Sequence, residues 1–139
     1  MKAVDTNVLV YAFDSAEPAK RTRAVALIDQ LVKSPGTTVL LWQTIVEFLA
    51  CLRRWQSAGR ISATDLDAYI IEVLAYFPPA LPSVAVISRS LQLTARYRLS
   101  HWDSLLVAAA LEANVDTLYT EDLHAGATYD TLTIVNPFS

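Results

Sequence analysis

The chain has 139 residues, 53% of them hydrophobic and 18% charged, with a formal net charge of −3. That length suits one domain over residues 1–139 with one hydrophobic core, and the composition excludes a disordered protein. The negative balance argues against a general nucleic-acid coat protein, although acids gathered in a site can leave a basic rim around it.

Lys2-Ala3-Val4 reads as a short apolar strand that ends at Asp5. Asn7 to Phe13 reads as a buried helix, broken by Asp14-Ser15-Ala16-Glu17-Pro18. Pro18 opens a second helix at the position where proline is tolerated, and Ala24, Val25, Leu27, Ile28, Leu31 and Val32 form its apolar stripe. Ser34-Pro35-Gly36 ends it. Thr37 to Trp42 is a second strand, and from Thr44 the apolar positions Ile45, Phe48, Leu49, Leu52 and Trp55 step at helical spacing until Gly59.

Ser62-Ala63-Thr64-Asp65 opens a helix that runs to Phe77, after which Pro78, Pro79 and Pro82 mark a loop. A helix follows through Leu91, Leu93 and Tyr97, with Val84 to Ile87 as an alternative strand. His101 to Asn114 is a helix whose middle is apolar on every side, which places it centrally. Asp116 to Thr120 and Leu132 to Val135 complete the strands. Short continuous apolar strands alternating with helices indicate an α/β fold with a mostly parallel central sheet flanked by helices.

Four carboxylates adjoin these apolar runs: Asp5, Glu47, Asp103 and Asp122. A charge beside an apolar run is costly unless something binds it. Clustered acids repel until protons or a cation relieve them, and without histidine or thiolate partners the cation is hard, Mg²⁺ or Mn²⁺. In parallel sheets, sites form outside the carboxyl ends of the strands. Asp5 and Asp122 follow strands directly, and Glu47 is expected in the first turn of the helix after the second strand. Asp103 lies in a helical first turn whose position the sequence leaves open.

Each acid also has a structural reading. Thr44-x-x-Glu47 has the form of a capping box, as do Ser62-x-x-Asp65 and, more weakly, Ser100-x-x-Asp103. The faces differ. Asp103 shares its face with Leu106, Val107 and Ala110, whereas Glu47 aligns with Ala50, Cys51 and Arg54 at the edge of an apolar stripe. Asp5 can cap the first helix, and Asp122 competes with its neighbour Glu121 as the fourth acid; the sequence does not decide between them. Asn7 and Thr120 can hydrogen-bond ligated carboxylates or serve ordinary turns.

His101 and His124 fit turn or surface positions, since neither pairs with a Ser or Cys nucleophile at a recognisable spacing. With glycine only at 36, 59 and 126, no phosphate-gripping loop is present. The basic residues fall in three groups, Lys20-Arg21-Arg23, Arg53-Arg54-Arg60 and Arg89-Arg96-Arg98. One of them, if it borders the acids, can hold a polyanion.

The apolar excess suggests a second buried surface, such as a subunit or partner interface. No apolar run approaches the roughly 18 residues a membrane span needs, and no secretory leader precedes the first strand. Together with the single cysteine, Cys51, read as a buried reduced thiol, these features lead to the expectation of a cytoplasmic protein.

The pattern resembles the PIN-domain family, and within it the VapC-type toxins of toxin–antitoxin pairs. The resemblance covers essentially the whole chain. It rests on Val4-Asp5-Thr6-Asn7, Glu47 early in the third helix, Asp103 opening an alanine-rich helix, and Thr120-Glu121-Asp122 after a late strand. Ser104 stands where the family often has alanine. The resemblance implies that Asp5, Glu47, Asp103 and Asp122 form the acidic site of a Mg²⁺-dependent ribonuclease, and it assigns the fourth acid to Asp122. It also implies a homodimer and a cognate antitoxin that covers the site.

The resulting expectation is a type II toxin that hydrolyses RNA phosphodiester bonds with a metal-activated water. Mg²⁺, or Mn²⁺, would bind chiefly through Asp5 and Asp103. Glu47 and Asp122 would complete the coordination directly or through water. The rivals are a PIN-type nuclease of RNA processing or DNA structure cleavage, and a catalytically idle binding module whose acids are caps. A phosphatase with an aspartyl nucleophile fits less well, because Asp5-Thr6-Asn7 lacks a second Asp two residues on.

Overall fold

A computed structural model describes residues 1–139. In chain order the elements are β1 (Lys2–Val4), α1 (Thr6–Phe13), α2 (Pro18–Val32), β2 (Leu40–Leu41), α3 (Trp42–Ser57) and α4 (Ala63–Tyr76). They continue with β3 (Pro79–Ala80), α5 (Ala85–Tyr97), α6 (His101–Glu112), β4 (Thr117–Tyr119), β5 (Thr128–Tyr129) and β6 (Leu132–Val135).

The main sheet has the order β1-β4-β6-β5. β1 and β6 each pair in parallel with β4, and only β5 runs antiparallel, against β6. β2 and β3 form a separate parallel pair, tied to the main sheet where Lys2 N–H donates to Thr37 O (2.8 Å) and Val39 N–H donates to Lys2 O (2.9 Å). The chain therefore leaves β1 toward β2 on one side and returns to β4 on the other. Such a reversal opens a crevice at the carboxyl ends of the strands.

Both faces of the sheet are covered, as a parallel sheet requires. Val4 joins a core with Val8, Leu9, Phe48 and Leu52 under α1 to α4. Its neighbour Ala3 points the other way, into a core with Leu93, Val107, Leu118 and Ile134 under α5 and α6. The expected central helix is α6, with Leu106, Val107, Ala108, Ala110 and Leu111 all buried. Ser104, fully buried among them, is satisfied by Ser90 Oγ (2.8 Å) and by donating to His101 O (2.7 Å).

Several boundaries differ from the sequence reading. The second strand shrinks to Leu40–Leu41, because the chain turns into α3 at Trp42, two residues earlier than expected. The segment 84–87 belongs to α5 and not to a strand. The proline loop contains β3, where Pro79 lies opposite Leu40. Proline is tolerated there because the two-stranded pair leaves β3 an edge. β5 was not visible in the sequence, since two residues carry no periodicity. No helix is long and apolar enough to cross a membrane.

Candidate functional site

Asp5 leaves β1 and caps α1, so its two structural duties coincide with its place at the strand end. Its Oδ1 accepts from Thr6 N–H (2.7 Å) and its Oδ2 from Thr120 Oγ1 (2.8 Å). Asp5 is only 5% exposed. Burial pushes its carboxyl up to about 6 against the opposing pull of those two bonds, and the nearby charges of Asp122 and Glu47 add to the rise. Asp5 thus feels two of the other three acids, which the fold brings to the same rim.

Thr120, immediately after β4, is fully buried and joins the acids. Its hydroxyl donates to Asp5 and accepts from Asp122 N–H (3.1 Å) and from Asn7 Nδ2 (3.2 Å). Asn7 Nδ2 also donates to Asp122 Oδ2 (3.1 Å). One hydroxyl with its single proton and both lone pairs engaged holds residues 5–7 and 120–122 together. Asn7 Oδ1, by contrast, is buried without a partner.

The choice between Glu121 and Asp122 is made by their neighbours. Glu121 accepts from Lys20 Nζ (3.0 Å) and from Tyr11 Oη. Tyr11 Oη in turn accepts from Lys20 Nζ (3.1 Å). Donating to Glu121 holds the Tyr11 phenol above its ordinary range, so it stays a donor. Asp122 instead faces the cleft beside Asn7. No sequence signal marks this triad, because the contact crosses from α1 and α2 to the loop after β4.

Glu47 is placed differently from expectation. With α3 starting at Trp42, Glu47 falls in the second turn and the Thr44–Glu47 capping box does not form. Thr44 donates to Val4 O (3.4 Å). The Glu47 carboxylate accepts from Thr6 Oγ1 (2.9 Å) and Gln43 Nε2 (3.1 Å). Gln43, which the sequence did not single out, also reaches Trp102 O (3.5 Å), tying Glu47 to the start of α6.

Asp103 lies half-buried in the first turn of α6. Its N–H donates to Ser100 Oγ (3.3 Å) but its carboxylate makes no return bond. In α4 the box is complete, with Asp65 N–H donating to Ser62 Oγ and Ser62 N–H to Asp65 Oδ2, both at 3.0 Å. Asp65 is therefore a cap, and the Asp103 carboxylate is left unengaged. No hydrogen bond links Asp103 to the other three acids. Nor do any three His, Cys, Asp or Glu side chains close around a cation-sized space.

A cleft of about 440 Å³ opens over this rim, lined by Thr6, Asn7, Glu47 and Asp122 with Cys51 and Arg54 behind them. His101 packs edge-on against Trp102 at the surface, and His124 is exposed. Neither approaches a nucleophile.

The pattern of the PIN domain family matches residues 2–129. No curated protein matches the chain. Among solved structures, a toxin–antitoxin complex from Klebsiella pneumoniae is similar with a TM-score of 0.68 and 20% identity, over 99% of this chain and 98% of that one. VapBC2 from Rickettsia felis, bound to a DNA fragment from its promoter, gives 0.68 and 14% over 96% of each chain. VapC20 from Mycobacterium tuberculosis, a sarcin-ricin loop cleaving toxin, gives 0.56 and 12% over 85% of this chain and 87% of that one. At such identities the likeness is one of fold. The family pattern, in contrast, runs through nearly the whole sequence. The chain belongs to the PIN domain family.

Proposed function

We propose that this protein is a Mg²⁺-dependent endoribonuclease, the toxin of a type II toxin–antitoxin pair. The observation that carries the reading is Asp5, a carboxylate buried at a strand end, opposed in its ionisation by Asp122 and Glu47. Such an arrangement costs stability at neutral pH unless a cation occupies it.

The residues fit a hard divalent cation on three counts. Every donor at the rim is oxygen. The acids repel one another, and Asn7 Oδ1 is a buried acceptor without a donor. Mg²⁺ keeps several of its waters and is commonly held by only one or two carboxylates, so an open rim suits it better than a closed cage. Asp5 and Asp103 would hold the cation, with Glu47 and Asp122 acting directly or through water; Mn²⁺ is the alternative ion.

Bound there, the cation would supply positive charge for the phosphate and lower the pKa of a coordinated water. The chain supplies the rest. Thr6 and Thr120 hold the two Asp5 oxygens in one orientation, Gln43 and Thr6 orient Glu47, and Asn7 orients Asp122. This outer ring of donors fixes ligand geometry and favours the ionised carboxylates. Glu47 and Asp122, which line the cleft, would accept a proton from the attacking water.

The toxin reading draws support from the fold shared with the proteins named toxin–antitoxin complexes. A cognate antitoxin that covers the site and a homodimer belong to it. A second groove of about 660 Å³, lined by Leu41, Val46, Leu81, Val84, Ile87 and Trp102, offers apolar surface for the second copy. An RNA substrate would place the protein in the cytoplasm.

The test is cleavage of a mixed tRNA, rRNA and mRNA pool by antitoxin-free protein, with Mg²⁺ and with chelator, beside a folded Asp5→Asn variant. Discrete Mg²⁺-dependent fragments, absent with the variant, are expected. Full activity of the variant would sink the proposal. No cleavage, together with no Mg²⁺-dependent rise in melting temperature, would favour an idle binding module.

A further inference from the structure

Arg54 is the only basic residue that lines the acidic cleft. It follows Glu47 by two turns of α3, about 10.5 Å along the axis, and helical side chains lean toward the N-terminus. Its guanidinium lies against Cys51, whose thiol is pushed up by burial and drawn back by the Arg54 charge. The group therefore stands at the far end of the same cleft from the Glu47 carboxylate.

Several other cations are held in ion pairs. Lys20 pairs with Glu121 (3.0 Å) and Arg60 with Asp14 (2.9 Å), and Arg60 also lies over the Trp55 ring at 4.4 Å. Arg89 binds Glu112 and Asp130, and Arg96 binds Asp130. Arg54 forms no ion pair, although Glu47 shares its cleft, because Glu47 is held by Thr6 and Gln43 instead. An exposed guanidinium with unfilled donors, facing a space lined by acids, is suited to a planar anion arriving from solution.

We infer that Arg54 binds a phosphate of the substrate strand adjacent to the scissile one, setting the register of single-stranded RNA across the acids. The inference rests on the nuclease reading above and names a residue that reading does not use. A cleft of about 440 Å³ has the volume of a small-molecule site, room enough for part of a single strand. Two carboxylates at its other end, Glu47 and Asp122, repel an incoming polyanion, so strand affinity has to come from a cation elsewhere in the cleft. The competing account is that Arg54 only complements the C-terminal end of the α3 dipole.

The experiment measures binding of a labelled single-stranded RNA by anisotropy across a salt series at fixed Mg²⁺. The protein carries Asp5→Asn to prevent cleavage, with and without Arg54→Ala or Arg54→Lys. Loss of one phosphate contact on a single strand should lower the slope of log affinity against log salt by about 0.7, with affinity falling roughly tenfold at low salt. Arg54→Lys, which keeps the charge, should retain the slope. In otherwise wild-type protein, Arg54→Ala should raise KM with little change in kcat. An unchanged salt slope for Arg54→Ala, with a lowered melting temperature, would assign the residue to the helix end and overturn the inference. Robust cleavage by wild type alongside that result leaves the nuclease reading standing. An Asp5→Asn parent with no salt-dependent RNA affinity, from a wild type that cuts nothing, removes both.

Discussion

Asp5 shows how one side chain serves fold and site with opposite energetic signs. As the N-cap of α1 it satisfies a backbone donor, yet its burial opposes the charge that a cation requires. Its carboxyl is raised from 3.8 to about 6, so its contribution favours folding most below the unfolded value and is lost as pH rises through about 6. Above that, the ionised form costs about 3 kcal/mol in metal-free protein. Asp5→Asn removes this dependence. Its stability relative to wild type should therefore climb by about 2–3 kcal/mol between pH 4 and pH 8, as read from urea unfolding with chelator present. A pH-independent difference would mean that Asp5 is not opposed in its ionisation. The absolute offset also contains the amide's poorer fit to the Thr120 hydroxyl, which is why the trend is the readout.

Helix starts separate acids that look alike in sequence. Ser62-x-x-Asp65 and Ser100-x-x-Asp103 share one pattern, but only the first closes both bonds. Asp65→Asn should then cost about 0.5–1 kcal/mol of stability and leave cleavage intact. Asp103→Asn should change stability by less than about 0.5 kcal/mol, as a half-buried group without hydrogen-bond partners, and abolish cleavage. Thermal unfolding and the RNA assay, run on both variants, check the pair; loss of activity in Asp65→Asn would break the distinction. The third box, Thr44-x-x-Glu47, misled because the α3 boundary moved. Leu40 and Leu41 are drawn fully into the two cores, and the helix then begins at Trp42. Thr44 is thereby brought under Val4 and Glu47 to the rim.

At the scale of the molecule, apolar surface remains after both cores are filled. Trp42, Val46, Leu81, Val84, Ile87 and Trp102 are all exposed, Ile87 at 57%, and they border one groove. The 53% hydrophobic content is more than a chain of this size needs for itself, which motivates the second copy. Under the proposed homodimer, wild type sediments as a dimer, and Ile87→Glu should shift it to monomer while leaving unfolding of the isolated subunit nearly unchanged. A monomeric wild type would overturn the homodimer, and a dimer that survives the substitution would place the interface elsewhere.

The sequence by itself determined the alternation of strands and helices, because burial imposes periods that can be read without a structure. It also located Asp5 and Asp122 at strand ends, since the parallel-sheet rule concerns chain order alone. Tertiary structure decided what depended on partners distant in the sequence, 59 to 115 residues away. Lys20 and Tyr11 claim Glu121 and leave Asp122 to the cleft, Thr120 reaches back across the sheet to Asp5, and Gln43 links Glu47 to α6. Such pairings leave no periodic trace, because a hydrogen bond between distant segments constrains two positions and not a pattern.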